Sequence, residues 1–129
     1  LSLAELEFMH IHKTGALIRA SLLLGVQCGR ALPEAELDTL DHVGKVIGLL
    51  FQVVDDILDA EADTATLGKT AGKDAAADKP TFVSLMGLAA AQSYADATLE
   101  RAHEALRAGG VPRPDTLHAL ADWVGRRAS

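Results

Sequence analysis

The stretch Gly48-Leu49-Leu50-Phe51-Gln52-Val53-Val54-Asp55-Asp56-Ile57-Leu58-Asp59 sits in a run, residues 41–60, that reads as helix and is apolar almost all the way round. A helix of that kind has to be buried. Yet Lys45, Gly48, Gln52, Asp55, Asp56 and Asp59 recur every three or four residues and fall on one narrow stripe. A polar minority on an apolar helix is expected to face a polar cavity. Asp55 and Asp59 stand one turn apart with Asp56 close by, and like charges that near repel unless a cation lies between them. Hard oxygen ligands on one face suit Mg²⁺, which keeps several waters and bridges carboxylates to substrate phosphates. The competing reading is a solvated acidic helix end, against which the apolar flanks argue.

Composition narrows the setting. At 129 residues the chain is one domain or part of one. It is 49% hydrophobic but only 4% aromatic, and rich in Ala and Leu, which favours helices over sheets. A formal charge of −6 argues against a general nucleic-acid binder. Cys28 is the single cysteine and cannot close a disulfide within the chain, so a reducing cytoplasm is the expected compartment. No apolar run reaches the length of a membrane span, and no signal-peptide pattern is present. The chain opens on leucine, and a fragment of a longer protein is expected.

Along the chain, Ser2-Leu3-Ala4-Glu5 reads as a capping box opening a helix that runs to about Gln27 and ends near Gly29. Ala16-Leu17-Ile18 and Ser21-Leu22-Leu23-Leu24-Gly25-Val26 look buried on most sides. Between them and the capping box stands His10-Ile11-His12-Lys13-Thr14-Gly15, where Thr and Gly are poor choices for helix stability alone. Gly15 permits a close approach or a kink; the plainer account of Lys13 is a lysine snorkelling from a packed helix. No histidine has metal-ligand spacing, and none is assigned a metal. Leu32-Pro33-Glu34 starts a second helix that continues through the aspartates to about Ala62. Residues 63–80 form a long polar loop holding Gly68, Gly72, Lys69, Lys73 and Lys79. Loops of this length are commonly functional, and lysines beside a carboxylate site would neutralise phosphate oxygens; for Lys73 a solvated position is the reading preferred. Helix resumes at Thr81, with Gly87 as a point of interruption, breaks at residues 109–114, and closes with a short helix, 115–127, that packs through Leu117, Leu120, Ala121 and Val124. The architecture expected is all-α, about five helices side by side in a bundle.

Three motifs in order carry a family resemblance. His12-Lys13-Thr14-Gly15-Ala16-Leu17 resembles the lysine–threonine motif of the trans-prenyltransferases, the polyprenyl diphosphate synthases of farnesyl diphosphate synthase type. Phe51-Gln52-Val53-Val54-Asp55-Asp56-Ile57-Leu58-Asp59 resembles their second aspartate-rich motif. Thr66-Leu67-Gly68-Lys69, with Gly72-Lys73-Asp74 and Asp78-Lys79-Pro80-Thr81-Phe82, resembles the loop that follows it. Pro80 stands where the family usually has a small residue, and Phe82 where tyrosine is common. Nothing in the chain matches the family's first aspartate-rich motif, so residues 1–129 read as the C-terminal part of a single isoprenoid-synthase catalytic domain.

The resemblance implies ionisation of an allylic diphosphate with Mg²⁺, attack by the double bond of isopentenyl diphosphate, and loss of a proton. On that analogy Asp55 ligates Mg²⁺ directly, with Asp59 and Asp74 supporting its shell. Lys13 and Lys69 hold the allylic diphosphate, Lys79 the diphosphate end of the pocket. The oxygens of Thr14 and Gln52 lie near the developing cation. The bacterial farnesyl type is the nearest match in the lysine–threonine region, which implies a cytoplasmic homodimer. A geranylgeranyl or longer-chain synthase and a non-catalytic helical partner subunit are the alternatives; a terpene cyclase would mix Asn, Ser and Glu in the second metal motif. The first two helices would lack their upstream packing partners.

Overall fold

The computed structural model describes residues 1–29, 32–65 and 80–128. Helix α1 (Leu3–His12) opens on the expected capping box: Glu5 N–H donates to Ser2 Oγ at 3.1 Å, and Ser2 N–H donates to Glu5 Oε2 at 2.7 Å. It stops at Lys13, whose φ of −110° and ψ of −82° are not helical, and α2 (Thr14–Gln27) starts at once. The single helix expected here is therefore two. Thr14 and Gly15 favour helix weakly, and Gly15 is drawn into contact with the next helix, so the chain bends at the residue before them.

Helix α3 (Glu34–Ala65) is the axis of the molecule and touches every other helix. Pro33 C=O accepts from the N–H groups of Glu36 and Leu37, and Glu34 and Glu36 put negative charge in the first turn, where the helix dipole favours it. Its middle is apolar on all sides because helices lie on all sides: Val43, Val46, Ile47, Leu49, Leu50, Val53, Val54 and Ile57 are all buried. Each such side chain contributes about 1.5–3 kcal/mol relative to exposure. After the segment that follows α3 come α4 (Phe82–Met86), α5 (Leu88–Ala108) and α6 (Asp115–Gly125), ending in a 3-10 turn (Arg126–Ala128). Gly87 separates α4 from α5 at a φ of +88°, a conformation other residues rarely adopt. Among the described residues there is no strand, and the bundle is all-α as expected.

Two packing expectations are corrected. Leu17 and Leu24, read as buried, are 72% and 63% exposed, because α2 meets α3 with one face and no described residue covers the other. In α6, Ala121 and Val124 enter the core whereas Leu120 lies at its edge, 44% exposed. Helix α5 enters the core through Ala91, Ala95, Thr98, Ala102 and Leu106.

Candidate active site

The site is built at the crossing of α2 over α3. A Cβ placed on Gly48 would lie 2.5 Å from Gly15 Cα, so the two backbones touch and Gly48 cannot carry a side chain undisturbed. One turn along, a Cβ on Gly44 would meet Arg19 Cα at 3.0 Å, and Arg19 Nε reaches Asp41 at 3.0 Å. These contacts step in opposite directions along the two helices. The helices are antiparallel, and residues before Gly15 therefore lie toward the Gln52–Asp59 end of α3. That brings Lys13 and Thr14, at the α1–α2 bend, toward the end of α3 that carries the aspartates.

The polar stripe divides into unlike parts. Lys45 belongs to a surface ion pair, its Nζ 3.3 Å from Asp41, and has no place at the site. Gly48 is the contact point. Asp55 is half-buried and has no hydrogen bond or ion pair among the described residues; Lys13 is exposed and likewise unpaired there. Asp59 is exposed one turn beyond Asp55. Asp56, expected on the polar stripe but not among the metal ligands, is only 7% exposed. Its Oδ1 accepts from Gln52 Nε2–H at 3.0 Å and its Oδ2 from the Phe82 backbone N–H at 3.0 Å. The spacing of Gln52 and Asp56, one turn apart, was the available signal; the bond to Phe82 had none.

Behind Asp56 lies His10, buried and with no partner for Nδ1, its ring 5.6 Å from that of Phe82. Burial pushes the imidazole below its ordinary value of 6.5; the charge of Asp56 opposes this and that of Lys13 adds to it. The Phe82 ring is fully buried between His10 and Tyr94, so the departure at this position leaves a well-packed junction. Tyr94 Oη donates to Glu7 Oε1 at 2.6 Å, tying α5 to α1 beside the same junction.

Lys69, Lys73, Asp74 and Lys79 lie outside the described residues. Among the described residues no three His, Cys, Asp or Glu side chains gather as a metal site, so Asp55 and Asp59 are two of the three ligands expected. They suit Mg²⁺ by chemistry: hard carboxylate oxygens one turn apart on one helix, with that of Asp55 uncommitted. A wide groove of about 870 Å³ lies elsewhere, between the first half of α3 and the second half of α5, lined by Asp38, His42, Arg101 and Glu104 among others. It holds none of the expected site residues, and its walls are ordinary surface: Glu100 and Glu104 both pair with Arg107.

The polyprenyl synthetase family profile matches residues 1–109. Over 127 residues the chain is 46% identical to geranylgeranyl pyrophosphate synthase 7, chloroplastic, of Arabidopsis thaliana, covering 98% of this chain and 36% of that protein. It is 54% identical over 112 residues to a protein of Sinorhizobium fredii named "Probable farnesyl diphosphate synthase", covering 84% and 33%. In fold it resembles a Helicobacter pylori geranyltransferase solved with magnesium and isoprenyl diphosphate: TM-score 0.79 and 36% identity, over 96% of this chain and 41% of that one. The chain thus spans about a third of the length of the curated relatives it matches. On the family profile, on these identities and on a shared all-α isoprenoid-synthase fold, the chain belongs to the polyprenyl synthetase family.

Proposed function

We propose that residues 1–129 are the C-terminal part of a short-chain prenyl diphosphate synthase that condenses an allylic diphosphate, geranyl or dimethylallyl, with isopentenyl diphosphate to give farnesyl diphosphate. What supports this reading is the Gly15–Gly48 contact between antiparallel helices, which sets Lys13 and Thr14 toward the end of α3 that carries Gln52 and Asp55. Lys13 grips the allylic diphosphate as a strongly hydrated point charge. Asp55 and Asp59, with Asp74, hold Mg²⁺, which when bound supplies positive charge to the departing diphosphate. Lys69 joins Lys13 on the allylic diphosphate, and Lys79 lies toward the diphosphate end of the pocket. The Gln52 amide commits its N–H to Asp56, which leaves its carbonyl oxygen as an acceptor dipole for the allylic cation, with the Thr14 oxygen alongside.

The bacterial relative at 54% identity favours the farnesyl product. A second reading, a geranylgeranyl synthase, is favoured by the relative at 46% identity. A cytoplasmic homodimer is part of the proposal; no helix among the described residues is long and apolar enough to cross a membrane.

The test is to assay the complete synthase with geranyl and isopentenyl diphosphates and Mg²⁺, and to identify the product by chromatography. Farnesyl diphosphate supports the reading, and continued elongation of farnesyl diphosphate supports the second one. Asp55→Ala should lower turnover by about two to three orders of magnitude with the fold kept, since charge on the leaving group goes unstabilised. Turnover within about twofold of the parent would remove Asp55 from the site. Lys13→Gln should weaken the allylic substrate by about 1.5–3 kcal/mol and isopentenyl diphosphate far less.

A further inference from the structure

Adjacent in sequence, Asp55 and Asp56 differ in every physical respect. Asp55 is half-open and uncommitted among the described residues, whereas Asp56 is closed off and both its oxygens are used. A carboxylate 7% exposed persists only where its lone pairs are satisfied, and here the two donors come from different parts of the chain. One is the first N–H of α4, which has no acceptor within its own helix and lies on a fully buried residue. The other is the side-chain amide of Gln52, one turn back on α3.

We infer that Asp56 is a positioning residue for the prenyl transfer proposed above, fixing which end of the Gln52 amide faces the reacting carbon. The inference rests on that reading and adds to it. A carboxylate with its hydrogen bonds already accepted can only accept, so the amide must turn its NH₂ toward Asp56. The carbonyl oxygen is thereby turned the other way. An amide free to flip would present its NH₂, the positive end of its dipole, to a developing cation half the time. Asp56 removes that choice, and Phe82 N–H, by holding the second oxygen, stops the carboxylate from rotating away. The second of these bonds also joins the aspartate helix to the start of α4.

An isosteric change separates this role from simple support. In Asp56→Asn the side-chain oxygen is claimed by Phe82 N–H, which needs an acceptor. The new NH₂ then faces Gln52 and turns its amide around. The experiment uses the complete synthase, with Asp56→Asn, Gln52→Met and the double variant, assayed for turnover and for the KM of each substrate. Circular dichroism and the side-chain ¹⁵N resonance of Gln52 are followed alongside. Expected for Asp56→Asn are a native fold, a shifted Gln52 amide resonance, and kcat lower by about tenfold to 100-fold. KM for the allylic diphosphate stays within about twofold, because its grip lies elsewhere. In the Gln52→Met background, Asp56→Asn should have no further effect on kcat, since there is no amide left to orient. Additive losses, an unshifted Gln52 resonance, or loss of the fold in Asp56→Asn would each make Asp56 merely structural and overturn the inference. A parent enzyme that makes no prenyl product would instead sink the proposed reaction, while the resonance still reports whether Asp56 orients Gln52.

Discussion

Helices α2 and α5 both pack along α3, and they do so by opposite means. Between α2 and α3 there is no side-chain layer at the crossing: Gly15, Gly44 and Gly48 let backbone meet backbone. Between α5 and α3 there is one, made of Ala91, Ala95, Thr98, Ala102 and Leu106. The outer surfaces differ as well. The outward side of α5 is polar, with Arg107 paired to Glu100 and Glu104, and its far edge is joined to α6 by His103, which meets His118 at 2.6 Å and Asp122 at 2.7 Å. The outward sides of α1 and α2 carry Phe8, Leu17 and Leu24, each more than 60% exposed. The α5–α6 side is not wholly polar, since Trp123 of α6 is 65% exposed, but exposed apolar side chains are more numerous on α1 and α2. Apolar surface of this kind on α1 and α2 fits contact with a further part of the protein or a second chain.

The largest test of this contrast is to express residues 1–129 alone. Prenyl transfer should be undetectable, because one wall of the site cannot neutralise a whole diphosphate. Sedimentation should show concentration-dependent association, which Leu17→Glu with Leu24→Glu abolishes. Turnover near that of the complete enzyme, or a monomer at all concentrations, would break the contrast. Next, truncation should separate the two sides. Leu106→Ala, fully buried under α5, should cost about 2–5 kcal/mol in denaturant melts. Leu17→Ala, on the open face, should stay within about 0.5 kcal/mol. Equal losses would mean that the open face is covered in solution.

A smaller pair of changes sharpens the point on glycine. Gly48→Ala forces two backbones apart and should cost about 1–3 kcal/mol, with a fall in turnover of the complete enzyme. Gly25→Ala has nothing within 4 Å and should stabilise by about 0.5–1 kcal/mol. The smallest effect is in pH. His10 binds its proton less readily folded than unfolded, so between its lowered folded value and 6.5 the unfolded state holds more protons. Stability on the α1–α3 side should therefore begin to fall as pH drops through 6.5. The carboxyl of Asp122, on the α5–α6 side, is held below its usual 3.8 chiefly by the hydrogen bond from His103, so its contribution is lost only on acidification below that value. His10→Gln should flatten the first decline and leave the second, as read by melting temperature against pH.

Much of this was legible in the sequence, for reasons that also set the limits. The three-and-four spacing of Gln52, Asp55 and Asp59 was enough to place them on one face, because that relation is internal to a helix. The apolar girth of α3 implied burial, and the capping box at Ser2 is a local rule obeyed locally. Burial of Leu17 and Leu24 was misjudged because an apolar pattern says that a face is to be covered and not by what. Gly15 was expected to permit a close approach or a kink, but its partner in that approach, Gly48, lies far along the chain and no local pattern names it. The burial of His10 and Asp56 was not legible for the same reason: their surroundings are set by Phe82, and no periodicity links the three.

The touching glycines also make a pivot. Rocking of α2 against α3 turns about the short stretch where the backbones meet, tightest at Gly15–Gly48, since there is no pliable layer there to compress. The two arms of that lever are unequal: at 1.5 Å per residue Lys13 lies about 3 Å from the fulcrum, and Gln27 about 18 Å. A swing of about 10° would carry the far end of α2 through about 3 Å yet shift Lys13 by about 0.5 Å. The outer end of the helix can thus yield to a neighbour packed on Leu24 while the α1–α2 bend stays close to its place.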